Sequence, residues 1–271
     1  MNDNNTKPQI NEVTDLPFAD FNHRQKHELT AQRIKERTLE VKPAGNFVYN
    51  GYKWQPIEYE GFAIISMVNE HEDNAPLTER LIQIQEELHD NLTPSYGFYQ
   101  LPPESFHQTI ANTLSADRFK RNVLNKGLES KYPDMVNQAF NSFELEAFDY
   151  PIGMKMLGLS VFGTAIGALG VFENEEEYNR IINFRAGFYS NPALKELDVR
   201  MTRPFIGHIT LAYVEHGLNK NQKDQLATVL NEINETMAEE RNYFNISNTG
   251  LRRYHHLAEF KKQPNYPSKA I

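Results

Sequence analysis

Two short phrases of the chain carry residue types able to move protons around a phosphate. His107-Gln108-Thr109-Ile110-Ala111 and His208-Ile209-Thr210-Leu211-Ala212 both read His-x-Thr-x-Ala. In an extended strand, side chains at i, i+2 and i+4 share one face, so each phrase is expected to present an imidazole, a hydroxyl and a small Ala side by side. With 9 His among 271 residues, one such phrase is expected by chance about 0.03 times and two about once in two thousand. An isolated copy would read as a strand histidine satisfied by its neighbours; the repetition argues for a shared task. Hydrolysing a cyclic phosphodiester needs a base to deprotonate water, an acid to protonate the departing sugar oxygen, and donors to the non-bridging oxygens. An imidazole titrates near neutrality, so one neutral and one protonated ring can serve as base and acid. Thr109 and Thr210 can donate to the phosphate, and this chemistry requires no metal.

The surrounding sequence supplies the elements that would position these groups. Around the second phrase Ile206, Ile209, Leu211 and Tyr213 give the strand an apolar face for a core. Gly61 to Val68 reads as a buried strand, and Leu77, Leu81, Ile84 and Leu88 fall on one face of a helix that follows Asp73, Asn74 and Pro76. Tyr96 to Tyr99 reads as a further strand, ahead of Pro102-Pro103 and the first phrase. After Gly217, Leu226, Val229, Leu230, Ile233 and Met237 predict a helix, and Phe244–Ser247 and Leu251–Phe260 predict closing strands.

Three stretches admit competing readings. Ile152 to Phe172 holds one charge, Lys155, and Gly163 and Gly167 match the spacing of paired membrane helices. Its glycines and the break at Gly163-Thr164 instead predict two buried strands, Leu157–Val161 and Ala165–Leu169, in a hairpin. Asn174 and Glu177 have the form of a capping box opening a helix with Tyr178, Ile181 and Ile182. Asp20 to Glu40 predicts a surface helix with a thin stripe of Leu29, Ile34 and Leu39; His23 and His27 sit four apart on it, but no third metal ligand follows at a suggestive spacing.

A hydrophobic share of 39% with 24% charged residues is that of a soluble globular protein rather than a disordered or fibrous one. There is no Cys, so neither disulfides nor thiolate metal sites arise. Met1 to Ile10 lacks an apolar stretch that would direct secretion, and a cytoplasmic protein is the expectation. A net charge of −8 argues against binding duplex DNA, which requires a basic surface, while leaving room for a small anion in a locally basic site.

The two halves repeat one plan, an apolar strand, a helix and a His-x-Thr strand, with 208 − 107 = 101 residues between the histidines. This spacing suggests a duplicated lobe. From about Gly61 to Phe260 the chain resembles the 2H phosphoesterase superfamily. The phrases Leu101-Pro102-Pro103-Glu104-Ser105-Phe106-His107-Gln108-Thr109 and Arg203-Pro204-Phe205-Ile206-Gly207-His208-Ile209-Thr210-Leu211 look like its two motif regions. The resemblance implies a bilobal, pseudo-two-fold α+β fold, with two mainly antiparallel sheets flanked by helices around a central cleft. It would place an N-terminal extension at residues 1–60, partly flexible, ahead of a two-lobed domain at 61–271. It implies His107 and His208 as catalytic residues, Thr109 and Thr210 as phosphate donors, no cofactor, and a 2′,3′-cyclic or 2′-5′ phosphodiester in a nucleotide or RNA end as substrate. Arg203, Tyr96 and Tyr99 are candidates for phosphate contact or base stacking. The expected partners are thus a small nucleotide or RNA end, with neither duplex DNA nor a membrane, and the chain is expected to be a monomer. The competing class is a nucleotide- or RNA-binding module that keeps the phosphate clamp without turnover.

Overall fold

Apolar spacing of both periods is realised, and the architecture is α+β. The computed structural model describes residues 13–92 and 97–271. In chain order come helices α1 (Phe18–Glu28) and α2 (Ala31–Glu40), a small hairpin of β1 (Phe47–Tyr49) and β2 (Trp54–Pro56), strand β3 (Gly61–Met67) and helix α3 (Ala75–Leu92). Then follow β4 (Phe98–Gln100), β5 (His107–Ser115), the short α4 (Ala116–Phe119), α5 (Tyr132–Asn141), β6 (Ile152–Phe162), β7 (Ala165–Phe172), α6 (Glu175–Ser190) and α7 (Pro192–Glu196). The chain closes with β8 (His208–Val214), α8 (Lys220–Glu239), β9 (Tyr243–Ile246), β10 (Asn248–His256), β11 (Glu259–Lys261) and β12 (Ser268–Ala270).

Ten of these strands make two antiparallel sheets. One runs β11-β10-β3-β5 with β12 on β10, the other β4-β8-β7-β6-β9. The two His-x-Thr strands, β5 and β8, therefore lie in different sheets. All seven residues of β3 are buried, which explains its unbroken apolar run: Phe62 and Ile64 join the main core, while Ala63, Ile65 and Met67 form a smaller cluster with Tyr254 on the other face. The predicted helix stripes are buried as written, Leu77, Leu81, Ile84 and Leu88 on α3 and Leu226, Val229, Leu230, Ile233 and Met237 on α8.

Ile152–Phe172 is the hairpin β6–β7, turning at Gly163, whose φ of 64° is the left-handed conformation that favours glycine. Among the described residues no helix is long and apolar enough to cross a membrane. Two local expectations differ. The helix expected over 20–40 is two helices, broken before Thr30, whose side chain caps α2 by accepting from Arg33 N at 3.4 Å. They pack on β6, β7 and α8, so Phe21, Gln25 and Ile34 are buried while Leu39 is left exposed. At α6, Asn174 accepts from Glu177 N at 2.8 Å, but the Glu177 carboxylate turns to accept from Gly153 N at 3.1 Å rather than completing a capping box.

Candidate active site

Register places the four motif side chains. Across the first sheet Met67 pairs with His107 and Ile65 with Thr109; across the second, Leu169 pairs with His208 and Gly167 with Thr210. His107, Thr109, His208 and Thr210 are half-buried, between fully buried Gln108, Ile110, Ile209 and Leu211. The Ala of each phrase does not share that face. Ile64 pairs with Ala111 and Ile65 with Thr109, so Ile110 is an extra residue; Ile166 pairs with Ala212 and Gly167 with Thr210, so Leu211 is another. Adjacent residues of the partner strand face opposite sides, and the two bulges therefore turn Ala111 and Ala212 into the main core. Both phrases carry this irregularity at the same step, immediately after the Thr.

The histidines are held alike. His107 Nδ1 lies 2.7 Å from Ser105 O, and His208 Nδ1 lies 3.0 Å from Ile206 O, in each case the carbonyl two residues upstream. A carbonyl only accepts, so Nδ1 carries the proton and Nε2 of the neutral ring keeps the lone pair. Each ring also rests on a phenylalanine, His107 on Phe260 at 4.2 Å between centroids and His208 on Phe162 at 5.6 Å. Burial lowers both imidazoles from their ordinary value to about 4, against the raising effect of the carbonyl bonds; Arg203 and His107 lower His208 further. Both rings are thus neutral in the free protein near neutrality.

Two buried polar side chains tie the motif strands together, and neither was singled out by the sequence. Gln108, wholly buried, accepts from His208 N at 2.6 Å and donates to Ile206 O at 3.0 Å and Thr109 O at 2.7 Å. Arg185 of α6 donates to Ile110 O at 2.5 Å, to Arg203 O at 3.2 Å and to Asp15 at 2.8 Å. Asp15 in turn accepts from Phe205 N at 2.6 Å. The signal for Arg185 was present in the sequence, since it shares a helical face with Ile181 and Phe188 and so had to be buried. Helix α1 adds Gln25, which donates to Gly207 O at 2.7 Å, and Arg24, which bonds to Phe205 O. Residues before Gly61 thereby support the approach to the second motif. Because Asp15 and Arg185 expose only 4% and 3% of their side chains, Asp15→Ala should lower unfolding free energy by about 3–5 kcal/mol, the cost of stranding one member of a buried pair. Urea unfolding within about 1 kcal/mol of the parent would show that the Asp15–Arg185 pair does not brace the fold.

The remaining candidates are placed as follows. Arg203 is exposed ahead of β8, close enough to His208 and Tyr213 to act on both electrostatically. Tyr213 is on the Thr210 side of its sheet, pushed up to about 12 chiefly by burial. Tyr99, opposite Tyr213 in register, has its ring stacked on Phe47 at 3.7 Å, so one face is already covered. Tyr96 lies outside the described residues. The rings of His23 and His27 are 6.3 Å apart, and among the described residues no group of three or more His, Cys, Asp or Glu side chains is arranged to hold a metal ion.

No family model matches the chain, and no curated protein matches it. Among solved structures, the chain is similar to a conserved protein of unknown function, ATU0111, from Agrobacterium tumefaciens str. C58. The TM-score is 0.60 at 15% sequence identity, covering 84% of this chain and 97% of that one. It is also similar to TT0787 of Thermus thermophilus, with a TM-score of 0.41 and 14% identity over 79% of this chain and 95% of that one. At that identity the first likeness speaks to the fold alone.

Proposed function

We propose that this chain hydrolyses a cyclic or 2′-5′ phosphodiester in a nucleotide or RNA end, using His107 and His208 as an opposed acid–base pair, as the 2H resemblance implies. In this reading each five-stranded sheet belongs to one lobe, a pseudo-two-fold relates His107 and Thr109 to His208 and Thr210, and a cleft between the lobes takes the phosphate. The observation that carries it is the matched tethering of the two rings, each with Nδ1 on the carbonyl two residues back and Nε2 left as the working nitrogen. One neutral ring takes a proton from water at Nε2 as the oxygen attacks phosphorus. The other, protonated, returns a proton to the sugar oxygen as its bond to phosphorus breaks. Thr109 and Thr210 donate to the non-bridging oxygens, and the positive charge of Arg203 favours the anion.

A pH signature follows. With both histidines at about 4 in the free protein, the form carrying one proton becomes scarcer tenfold for each pH unit above about 5. Because kcat/KM reports groups of the free enzyme, it should fall along that slope from about pH 5 to 8. A bound phosphate opposes the desolvation, so the falling limb of kcat should lie at higher pH than that of kcat/KM. A flat kcat/KM over this range would contradict the assignment. Stability has the opposite sign. Below about 6.5 the unfolded chain binds protons that these buried rings refuse, so their contribution is complete above 6.5 and is lost as pH falls towards 4. The test of the reading itself is product formation from 2′,3′-cyclic nucleotides in excess EDTA. Binding of labelled nucleotide with no turnover of any cyclic or 2′-5′ ester would instead favour the non-catalytic clamp.

A further inference from the structure

A polar pocket, of about 490 Å³, lies on the first sheet beyond His107 and is lined by Met67, Glu70, Asn248, Arg252, Lys262 and Ser268 among others. Sheet order gives its position. Gln108 joins β5 to β8 on one side, whereas Met67 of β3, the register partner of His107, borders the pocket on the other. Neighbouring strands are about 5 Å apart. The pocket therefore begins one to two strands from His107, on the side away from His208.

Its charge runs against that of the chain, which is −8 overall. The Arg252 side chain is 3% exposed and pairs with Glu70 at 2.5 Å, while Glu70 itself is 44% exposed. Arg252 also donates to Leu251 O at 3.0 Å, and these two bonds leave donors of its five N–H groups unused. The guanidinium lies back over Gly250, where a Cβ would stand 2.9 Å from Nη1; glycine there is what lets a buried arginine reach the pocket. Lys262 comes two residues after Phe260, the ring packed on His107 at 4.2 Å, so the segment that packs on the histidine also contributes a lysine to the pocket lining. Arg252 and Lys262 against the one carboxylate of the lining, Glu70, leave a net positive charge.

We propose that this pocket is an anion subsite for the neighbouring phosphate of an oligonucleotide whose terminal phosphodiester lies between His107 and His208. The inference rests on the proposed role of those histidines and narrows it, since the substrate becomes a strand end carrying at least two phosphates. A guanidinium and an ammonium facing one anion suit a phosphate, and Glu70 is exposed enough to swing away as the phosphate replaces it.

Calorimetric binding separates the alternatives without requiring turnover, using adenosine 3′-phosphate as the one-phosphate ligand and the dinucleotide ApA 3′-phosphate as the two-phosphate ligand. The parent should bind the dinucleotide at least tenfold more tightly. Lys262→Glu, at an exposed position, should remove that advantage and reduce the salt dependence of dinucleotide binding, while leaving the one-phosphate ligand within twofold. Arg252→Met, checked for folding by its unfolding transition, should do the same, whereas His208→Ala should weaken both ligands. Equal binding of the two ligands by the parent, or an equal loss for both in Lys262→Glu, overturns the subsite. If the parent discriminates as stated but hydrolyses no ester, the subsite stands and the catalytic reading fails. If it hydrolyses cyclic mononucleotides and Lys262→Glu leaves dinucleotide binding unchanged, the catalytic reading stands and the subsite fails.

Discussion

His107→Ala and His208→Ala are each expected to lower kcat for a 2′,3′-cyclic or 2′-5′ ester by about 10²–10⁴-fold, the range for removing one positioned acid or base. Each ring has its proton-bearing nitrogen committed to a backbone carbonyl and rests on a phenylalanine, so Nε2 has little orientational freedom left to lose. Ala removes the proton carrier and keeps the strand. The double variant should be little worse than either single one, because in the proposed mechanism base and acid act in one step and the loss of one already disables it. Chromatography resolving 2′- from 3′-phosphates, run in excess EDTA on all four proteins, measures both the loss and which oxygen departs. Two single variants with independent, multiplying and small losses would mean that the rings bind phosphate without passing protons.

The second large effect is expected at a residue that touches no substrate in this reading. Gln108→Leu leaves His208 N without its partner in a fully buried place, while Ile206 O keeps only the bond from His208 Nδ1. A stranded group of this kind costs about 1–3 kcal/mol, and the fold should lose about that much in urea unfolding. The same change releases the tether between β5 and β8, and a displacement of about 1 Å between acid and base can cost about 10²-fold in rate. Gln108 is thus a positioning residue. Its signature is a fall in kcat of the folded variant with KM little altered, together with a shifted pH profile. A stability loss with normal kcat in the folded fraction would reduce Gln108 to packing.

Much of this site is legible because it is local. The alternation that puts His107 beside Thr109, and His208 beside Thr210, is a property of any strand, and the apolar stripes of α3 and α8 report their buried faces directly. The hairpin at Gly163 is legible for the same reason, since glycine marks the turn and the length of each apolar run suits a strand better than a soluble helix. Ala111 and Ala212 depart from the face that alternation assigns them because a bulge is a mismatch between two strands, and one strand read alone has no register. The single surface helix expected over 20–40 fails because its faces answer to the fold rather than to solvent: Phe21, Gln25 and Ile34 turn to sheet residues more than a hundred positions away.

The sequence by itself determined which groups are available, namely two imidazoles with two hydroxyls on strand faces, in a chain with α+β patterning. Only the tertiary structure decided that Gln108 spans from one phrase to the backbone of the other, that Asp15 and Arg185 brace both, and that burial holds the two rings neutral near neutrality. The physical reason is range. Periodicity and turn chemistry act over a few residues and can be read along the chain. Hydrogen bonds across 98 to 190 positions and the desolvation of a charge depend on what the fold brings into contact, and no short stretch of sequence contains that information.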